Sequence, residues 1–569
     1  MIMIPLIRNA AAVGLILLSV GGCRADAPSE VARIPTADDT RDHASAAFWN
    51  DATIYFLLTD RFLDGDPSNN LALGRALDGA TLRSFMGGDL AGVLRKLEEG
   101  YFDALGVDAI WMTPFVEQIH GSVDEGTGKS YGFHGYWTRD WTAVDPAFGT
   151  AEELRAVVAE AHRRGIRVLM DAVLNHTGPV TALDPKWPDD WVRTSPRCTY
   201  GSYVTTVDCT LVDNLPDVRT DRDEPVELPE ALRDKWATEG RLDRETAELD
   251  AFFQRTGYPR APRYYVIKWL TDWVREMGFD GYRVDTAKHV PEGASAALAR
   301  EARQALADWK AAHPAGVLDD LPFFMMGEVY NYTLSQGRNF DFGDRKVDYF
   351  AFGYDALINF GFKDDARRPL DDLFSTYASA LGDGALRGQV VVNYVSSHDD
   401  GGPYDRDRQD PYGAGTRLLL APGGAQIYYG DEVARPLNAA GAEGDANLRS
   451  MMDWDVVASM DGPAGTVLDH WRRLGRFRRD HPAVGAGEHR LLQADPYIFS
   501  RRLETGGDGG DRVLVALDQG EGPKTIPVFG LFPEGTQLLD CYSGQTAVVT
   551  GGRVSVASGY GTVLLGKAN

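Results

Sequence analysis

Cysteine is scarce in this chain, four among 569 residues, which excludes a disulfide-stapled scaffold, and no spacing among the four resembles a zinc site. Positive charge is in deficit. Against 83 Asp and Glu stand 58 Lys and Arg, a net charge of −25, so nucleic acid and anionic membrane surfaces are repelled and an uncharged or cationic partner is easier to accept. The apolar run at positions 10–20 is shorter than the ~20 residues a bilayer-spanning helix needs. No long repeat or low-complexity tract is present, which leaves no basis for a solenoid. The Gly-rich GGDGGD from Gly506 has no helix after it and reads as a hairpin loop, not a phosphate cradle.

At the N-terminus, one positive charge at Arg8, an apolar run and small residues before Cys23 make a secretory signal. Val20, Gly21, Gly22 and Cys23 resemble the lipobox of bacterial lipoproteins, with Cys23 as the acylated residue. The alternative is a soluble exported protein cut near Ala25 or Ala27. The expected destination is the periplasm or a lipid anchor on the outer membrane, with positions 24–46 as a polar tether. Cys198 and Cys209 lie close together in a polar segment of an exported chain, where a disulfide is permitted. Cys541 reads as a buried thiol.

What is abundant is a recurring unit: a helical apolar period, a Gly, then a short apolar strand ending in polar residues. Leu90 to Tyr101 precede Gly106 and AIWMTP; Leu154 to Ala161 precede Gly165 and RVLMDAV; Val266 to Met277 precede Gly278 and GYRVD. Further strands are expected at ATIYFLL, PFFMMGE, KVDYF, VVVNYV and AQIYYGDE, eight in all. A doubly wound sheet also alternates strands and helices. Asp171, Asp285, Glu328 and Asp399 all fall at or just past strand C-terminal ends, however, which favours a (β/α)8 TIM barrel. The rhythm breaks for too long at about 176–263 to be an ordinary loop, so a small inserted domain is expected after the third strand. Past His481 and Pro482, short strands separated by Gly-rich turns indicate a C-terminal antiparallel β domain. The expected layout is signal and lipobox 1–23, tether 24–46, barrel 47–175 and 264–482, inserted domain 176–263, and a C-terminal β-sandwich 483–569.

The stretch Gly281 to Val290, GYRVDTAKHV, carries the densest polar cluster. Arg283 and Asp285 point to one side of a strand because side chains alternate, so the guanidinium can hold Asp285 ionised and aimed. Glu328 ends the apolar FFMMGE, where desolvation raises the pKa of a carboxyl toward that of a general acid. Asp399 follows His398. Each carboxylate alone reads as an ordinary polar strand end; three on one barrel mouth suit a nucleophile, a proton donor and a transition-state partner for glycoside hydrolysis with retention.

These residues carry a resemblance. DAVLNH from Asp171, GYRVDTAKHV, GEVY with Glu328 and YVSSHD ending at Asp399 resemble the four ordered signature regions of the α-amylase family, glycoside hydrolase family 13. LPDV from Leu215 is similar to the motif of that family's inserted domain, and GFHGYW from Gly132 to its substrate loop. The match covers roughly 48–490, and EQIHG, HGYWTRDW, RVDTAKHV and SSHD look most like the bacterial periplasmic members. The resemblance implies Asp285 as nucleophile, Glu328 as acid/base and Asp399 as transition-state stabiliser. It places Arg283, His176 and His398 around the same sugar, Tyr136 stacked beneath it, and Lys288 and His289 on the leaving-group side. It also implies a structural Ca²⁺ held by Asn175 and Asp217, with the His289 carbonyl and one near Cys209 as additions and Asp208 an ambiguous donor. Ser397 stands where the family more often has Asn.

The resulting expectation is a monomeric α-amylase cleaving internal α-1,4 bonds of starch, glycogen or maltooligosaccharides, with no nucleic-acid partner and membrane contact only through Cys23. Two rivals are an α-glucan transglycosylase on the same site and a non-catalytic starch-binding lipoprotein. The intact trio of acids argues against the last.

Overall fold

The computed structural model describes residues 43–459, 462–504 and 510–568. The expected signal, Cys23, most of the tether and most of the GGDGGD turn lie outside the described residues. Among the described residues no helix is long and apolar enough to cross a membrane.

Eight strands close a parallel barrel: β1 Thr53–Leu57, β2 Ala109–Met112, β3 Arg167–Ala172, β4 Gly281–Val284, β5 Phe324–Gly327, β6 Ala356–Asn359, β7 Val390–Tyr394 and β8 Gly424–Tyr428. Each pairs with its neighbour in sequence, and β8 closes on β1 with Ala425 opposite Thr53. Every residue of these strands is buried, as expected for strands covered by helices outside and side chains inside.

The expected sixth strand needs correction. Lys346–Asp348, the start of KVDYF, pairs antiparallel with Asn339–Asp341 in a small hairpin outside the barrel, and the barrel strand is Ala356–Asn359. Lys346 is exposed and Val347 buried, an alternation that suits a one-sided hairpin; ALIN is buried throughout, as a barrel strand requires.

Helices stop where the Gly pattern indicated. Ala151–Arg163 begins in a capping box between Thr150 and Glu153. Pro262–Met277 has Pro at its first turn and ends at Gly278, φ 83°. A Cβ at Gly278 would come within 2.3 Å of the Trp309 ring, so Gly serves there both for its left-handed backbone and for close packing.

Between β3 and that helix the chain makes the pair Val192–Arg193 and Asp217–Val218 and the helices Glu230–Thr238 and Leu242–Thr256. Trp187, Trp191 and Trp236 from this excursion gather on Trp269, with Trp191 stacked parallel to it at 6.0 Å. The expected disulfide Cys198–Cys209 is present in the same excursion. Beyond the helix Gly462–Asp480, a six-stranded antiparallel sheet and a two-stranded one share a second apolar core that includes Ile498, Leu514, Ile526 and Val554. Cys541 is a free thiol, part-buried rather than fully so, and burial pushes it up to about 12.

Candidate active site

The mouth of the barrel is built around Arg283, which is 1 % exposed on β4. Its Nη1 donates to Asp285 Oδ1 at 2.8 Å and to Asp171 Oδ1 at 3.0 Å, and its Nη2 lies 2.8 Å from Glu328 Oε2. Strand order explains the convergence: β3, β4 and β5 are neighbours, and Arg283 is in register with Asp171. Asp285 Oδ2 accepts from the Thr286 hydroxyl at 3.0 Å, and Glu328 Oε2 accepts from the Thr286 backbone N–H at 2.8 Å. Asp285 and Glu328 are therefore held by one arginine and one threonine.

Burial pushes Glu328 up to about 8, with Arg283 opposing and the charges of Asp285 and Asp399 adding to the rise. Burial likewise pushes Asp171 up to about 6. Asp399 stands apart in solvation, with 34 % of its side chain exposed; the Ser397 hydroxyl donates to its Oδ1 at 3.3 Å and His398 Nε2 lies 3.7 Å from Oδ2.

Tyr136 donates its hydroxyl to Asp171 at 2.8 Å and stacks on the His398 imidazole at 5.4 Å. His176 Nε2 lies 3.1 Å from the Tyr136 carbonyl, and its Nδ1 has no hydrogen-bond partner among the described residues. Burial lowers the pKa of both His176 and His398, so both are neutral rings able to accept or donate one hydrogen bond to a hydroxyl. Lys288 and His289 follow Asp285 in a short turn. Lys288 Nζ donates to the Tyr330 carbonyl at 3.3 Å, and His289 Nδ1 lies 2.7 Å from the Thr206 carbonyl, with burial pushing its pKa down to about 4.

Asn175 and Asp217 lie on adjoining backbone, tied by the Val218 N–H donating to the Asn175 carbonyl at 2.7 Å. Asn175 Oδ1 and Asp217 Oδ1 are buried and have no hydrogen-bond partner among the described residues. Arg193 Nε lies 3.1 Å from the other Asp217 oxygen and the same guanidinium reaches Asp208 and Asp221, three carboxylates around one buried cation. Two free buried oxygens and surplus negative charge fit a hard divalent cation. Among the described residues no group of three or more His, Cys, Asp or Glu gathers as a metal site, so such an ion would depend on amide and carbonyl oxygens.

Four residues of the mouth carry no assignment from sequence. Asp171 is visible as a strand-end acid, but its contact with Arg283 depends on strand register, which is not written locally. Trp111 donates its indole N–H to Asp171 at 2.9 Å. Thr286 binds both acids. Arg449 donates to the His398 carbonyl at 2.9 Å and pairs with Asp445 at 2.8 Å; it lies 50 residues beyond the last motif, with no local pattern to mark it.

A closed parallel barrel with paired carboxyl groups at the C-terminal ends of its strands is the architecture of a barrel-type glycoside hydrolase. The model of the alpha-amylase catalytic domain matches residues 56–459. The chain is 36 % identical to the periplasmic alpha-amylase of Escherichia coli over 83 % of its own length and 72 % of that protein's. It is 27 % identical to the cyclomaltodextrin glucanotransferase of Geobacillus stearothermophilus, over 87 % of this chain and 64 % of the transferase. Among solved structures, an alpha-amylase from Geobacillus thermoleovorans, crystallised with acarbose, shares the fold with a TM-score of 0.62 and 21 % identity, covering 92 % of this chain and 99 % of that one. This chain belongs to the alpha-amylase family, glycoside hydrolase family 13.

Proposed function

We propose that the protein is an exported α-amylase that hydrolyses internal α-1,4-glucosidic bonds of starch, glycogen or maltooligosaccharides with retention of configuration. The observation that carries the reading is the convergence of Asp285 and Glu328 on Arg283 and Thr286, with burial pushing the Glu328 carboxyl up to about 8. Asp285, paired with the guanidinium, is the nucleophile. Glu328, whose proton is retained to about pH 8, is the acid.

In the first step an Asp285 oxygen forms a bond to the anomeric carbon, the glycosidic C–O bond breaks, and the Glu328 proton passes to the departing oxygen. In the second, water attacks the anomeric carbon, the bond to Asp285 breaks, and Glu328 takes the proton from water. Two inversions restore the α configuration. Asp399, exposed at the rim, binds ring hydroxyls and helps distort the sugar. His176 and His398 hydrogen-bond the same unit, Tyr136 stacks beneath it, and Lys288 and His289 bind the unit on the leaving side.

Asn175 and Asp217, with the His289 carbonyl, would hold a structural Ca²⁺, which would supply oxygen-bound charge neutralisation at the junction of the excursion after β3 with the barrel. The excursion acts as a small inserted domain, and the two sheets past residue 483 as a β-sandwich. The signal-like N-terminus and the word periplasmic in the E. coli relative's name support export; Cys23 anchors the mature chain through lipid. A transglycosylase on the same site is the second reading, favoured by the similarity to cyclomaltodextrin glucanotransferases.

Covalent trapping tests the reading. With α-maltotriosyl fluoride, Glu328→Gln should form the glycosyl-enzyme readily, because fluoride leaves with little acid help, and hydrolyse it slowly for want of a base. Mass spectrometry should then find one maltotriosyl unit on the peptide containing Asp285. An adduct on another residue, or fluoride release with no adduct, contradicts the assignment.

A further inference from the structure

Thr286, the residue after Asp285, has a backbone that its own side chain disfavours. It sits at φ 47° and ψ 35°, the left-handed region, and is the one β-branched residue with a positive φ among the described residues. A branched Cβ crowds the backbone there, so the conformation persists only where the surroundings impose it. Hydrogen bonds on both sides do so. The Asp285 N–H donates to the Ala172 carbonyl at 3.0 Å, and the His289 N–H donates to the Thr286 carbonyl at 2.8 Å.

The strained turn aims two donors of one residue at two acids. The Thr286 N–H reaches Glu328 Oε2 at 2.8 Å, and the hydroxyl reaches Asp285 Oδ2 at 3.0 Å. Glycine would take this backbone without strain and keep the N–H contact. Only the hydroxyl requires a side chain. Asp285 is thereby held at both oxygens, Oδ1 by Arg283 and Oδ2 by Thr286. The arginine divides itself among Asp171, Asp285 and Glu328, whereas the hydroxyl bonds Asp285 alone among the described residues.

A donor holds a charged oxygen more strongly than a neutral one. The Asp285 carboxylate gives up its charge when the sugar ester forms and regains it when the ester is hydrolysed. In the first step the hydroxyl therefore favours the starting state; in the second it favours the transition state, where charge is returning. We propose that Thr286 is a positioning residue that acts through Asp285 and hastens breakdown of the glycosyl-enzyme. As water adds to the anomeric carbon and gives its proton to Glu328, the electron pair of the breaking C–O bond returns to Asp285, and the hydroxyl stabilises the carboxylate as it reforms. The assignment rests on the retaining mechanism proposed above and deepens it. It also makes Thr286 a determinant of how long the glycosyl-enzyme is exposed to a sugar acceptor in place of water.

The test uses α-maltotriosyl fluoride, rapid acid quench and mass spectrometry of the intact protein. At saturation, kcat divided by the fraction of protein carrying a maltotriosyl unit is the breakdown rate, and kcat/KM reports formation. Thr286→Val, which keeps the branch and removes the hydroxyl, should lower the breakdown rate about tenfold or more while kcat/KM stays within about threefold. Thr286→Ser, which restores the hydroxyl, should hold both within about threefold of the wild type. Thr286→Ala carries the same expectation as valine where the valine variant fails to fold. An unchanged breakdown rate, an equal fall in both constants, or a serine variant as slow as valine overturns the proposal. If Glu328→Gln, in which the intermediate should persist, carries no sugar on Asp285, the retaining mechanism itself falls instead.

Discussion

Arg283 touches three of the four carboxylates at the mouth, and one positive charge cannot balance them all. The proton that remains resides on Glu328, the acid raised to about 8. The ordinary value is 4.5, so between pH 4.5 and about 8 the folded protein keeps a proton the unfolded chain has released. Stability tied to this group is fully present below the lower value and is lost as pH rises through the upper one. Glu328→Gln removes that titration, and its thermal midpoint should exceed the wild type's by a wider margin at pH 8 than at pH 5; a margin that narrows with pH contradicts the burial argument. The same substitution should lower kcat on maltoheptaose by about 10²–10⁴-fold, while wild-type activity declines on the alkaline side near pH 8. At this scale the sequence was informative wherever two roles lay within a few positions, as with Arg283 and Asp285 on one strand face. It marks Asp171 as a strand-end acid but not its contact with Arg283, and it is silent on Trp111 and Arg449, because these contacts depend on which strands and loops become neighbours.

The elements of the barrel follow from local rules: buried apolar strands, Gly-stopped helices and polar strand ends. The one strand that differs, KVDYF, has the alternation of a half-exposed hairpin, and the sixth barrel strand is the wholly buried Ala356–Asn359 that follows it. The excursion after β3 announced itself by a broken rhythm, but its attachment through the Trp187, Trp191, Trp236 and Trp269 cluster could not be read from spacing. Its other attachment is the junction of Asn175 and Asp217. If Ca²⁺ completes that junction, chelation with EDTA should lower the thermal midpoint and added Ca²⁺ should restore it, by an amount equivalent to about 2.7 kcal/mol at a hundredfold excess over Kd. Asp217→Asn should abolish the response. A midpoint indifferent to chelator and metal would mean that Arg193 alone satisfies these carboxylates.

For the molecule as a whole, the helix Gly462–Asp480 supplies a structural tie through Arg478. Arg478 is buried and donates to the carbonyls of Asn50, Asp51, Leu419, Ala421 and Gly423, and Arg501 of the C-terminal sheet donates to those of Leu420 and Val484. Arg478 ties together the segments that precede β1 and β8, and Arg501 joins the second of them to the residues that lead into the C-terminal sheet, all at the stabilising face of a barrel, while the acids stay at the other end. The net charge of −25 remains consistent with a neutral glucan as the partner. The central claim, hydrolysis through two inversions at one mouth, is tested most directly by an NMR time course on maltoheptaose. The account predicts shorter products only, released first as the α anomer. Products released first as the β anomer would contradict retention, and products longer than the substrate would move the protein to the transferases.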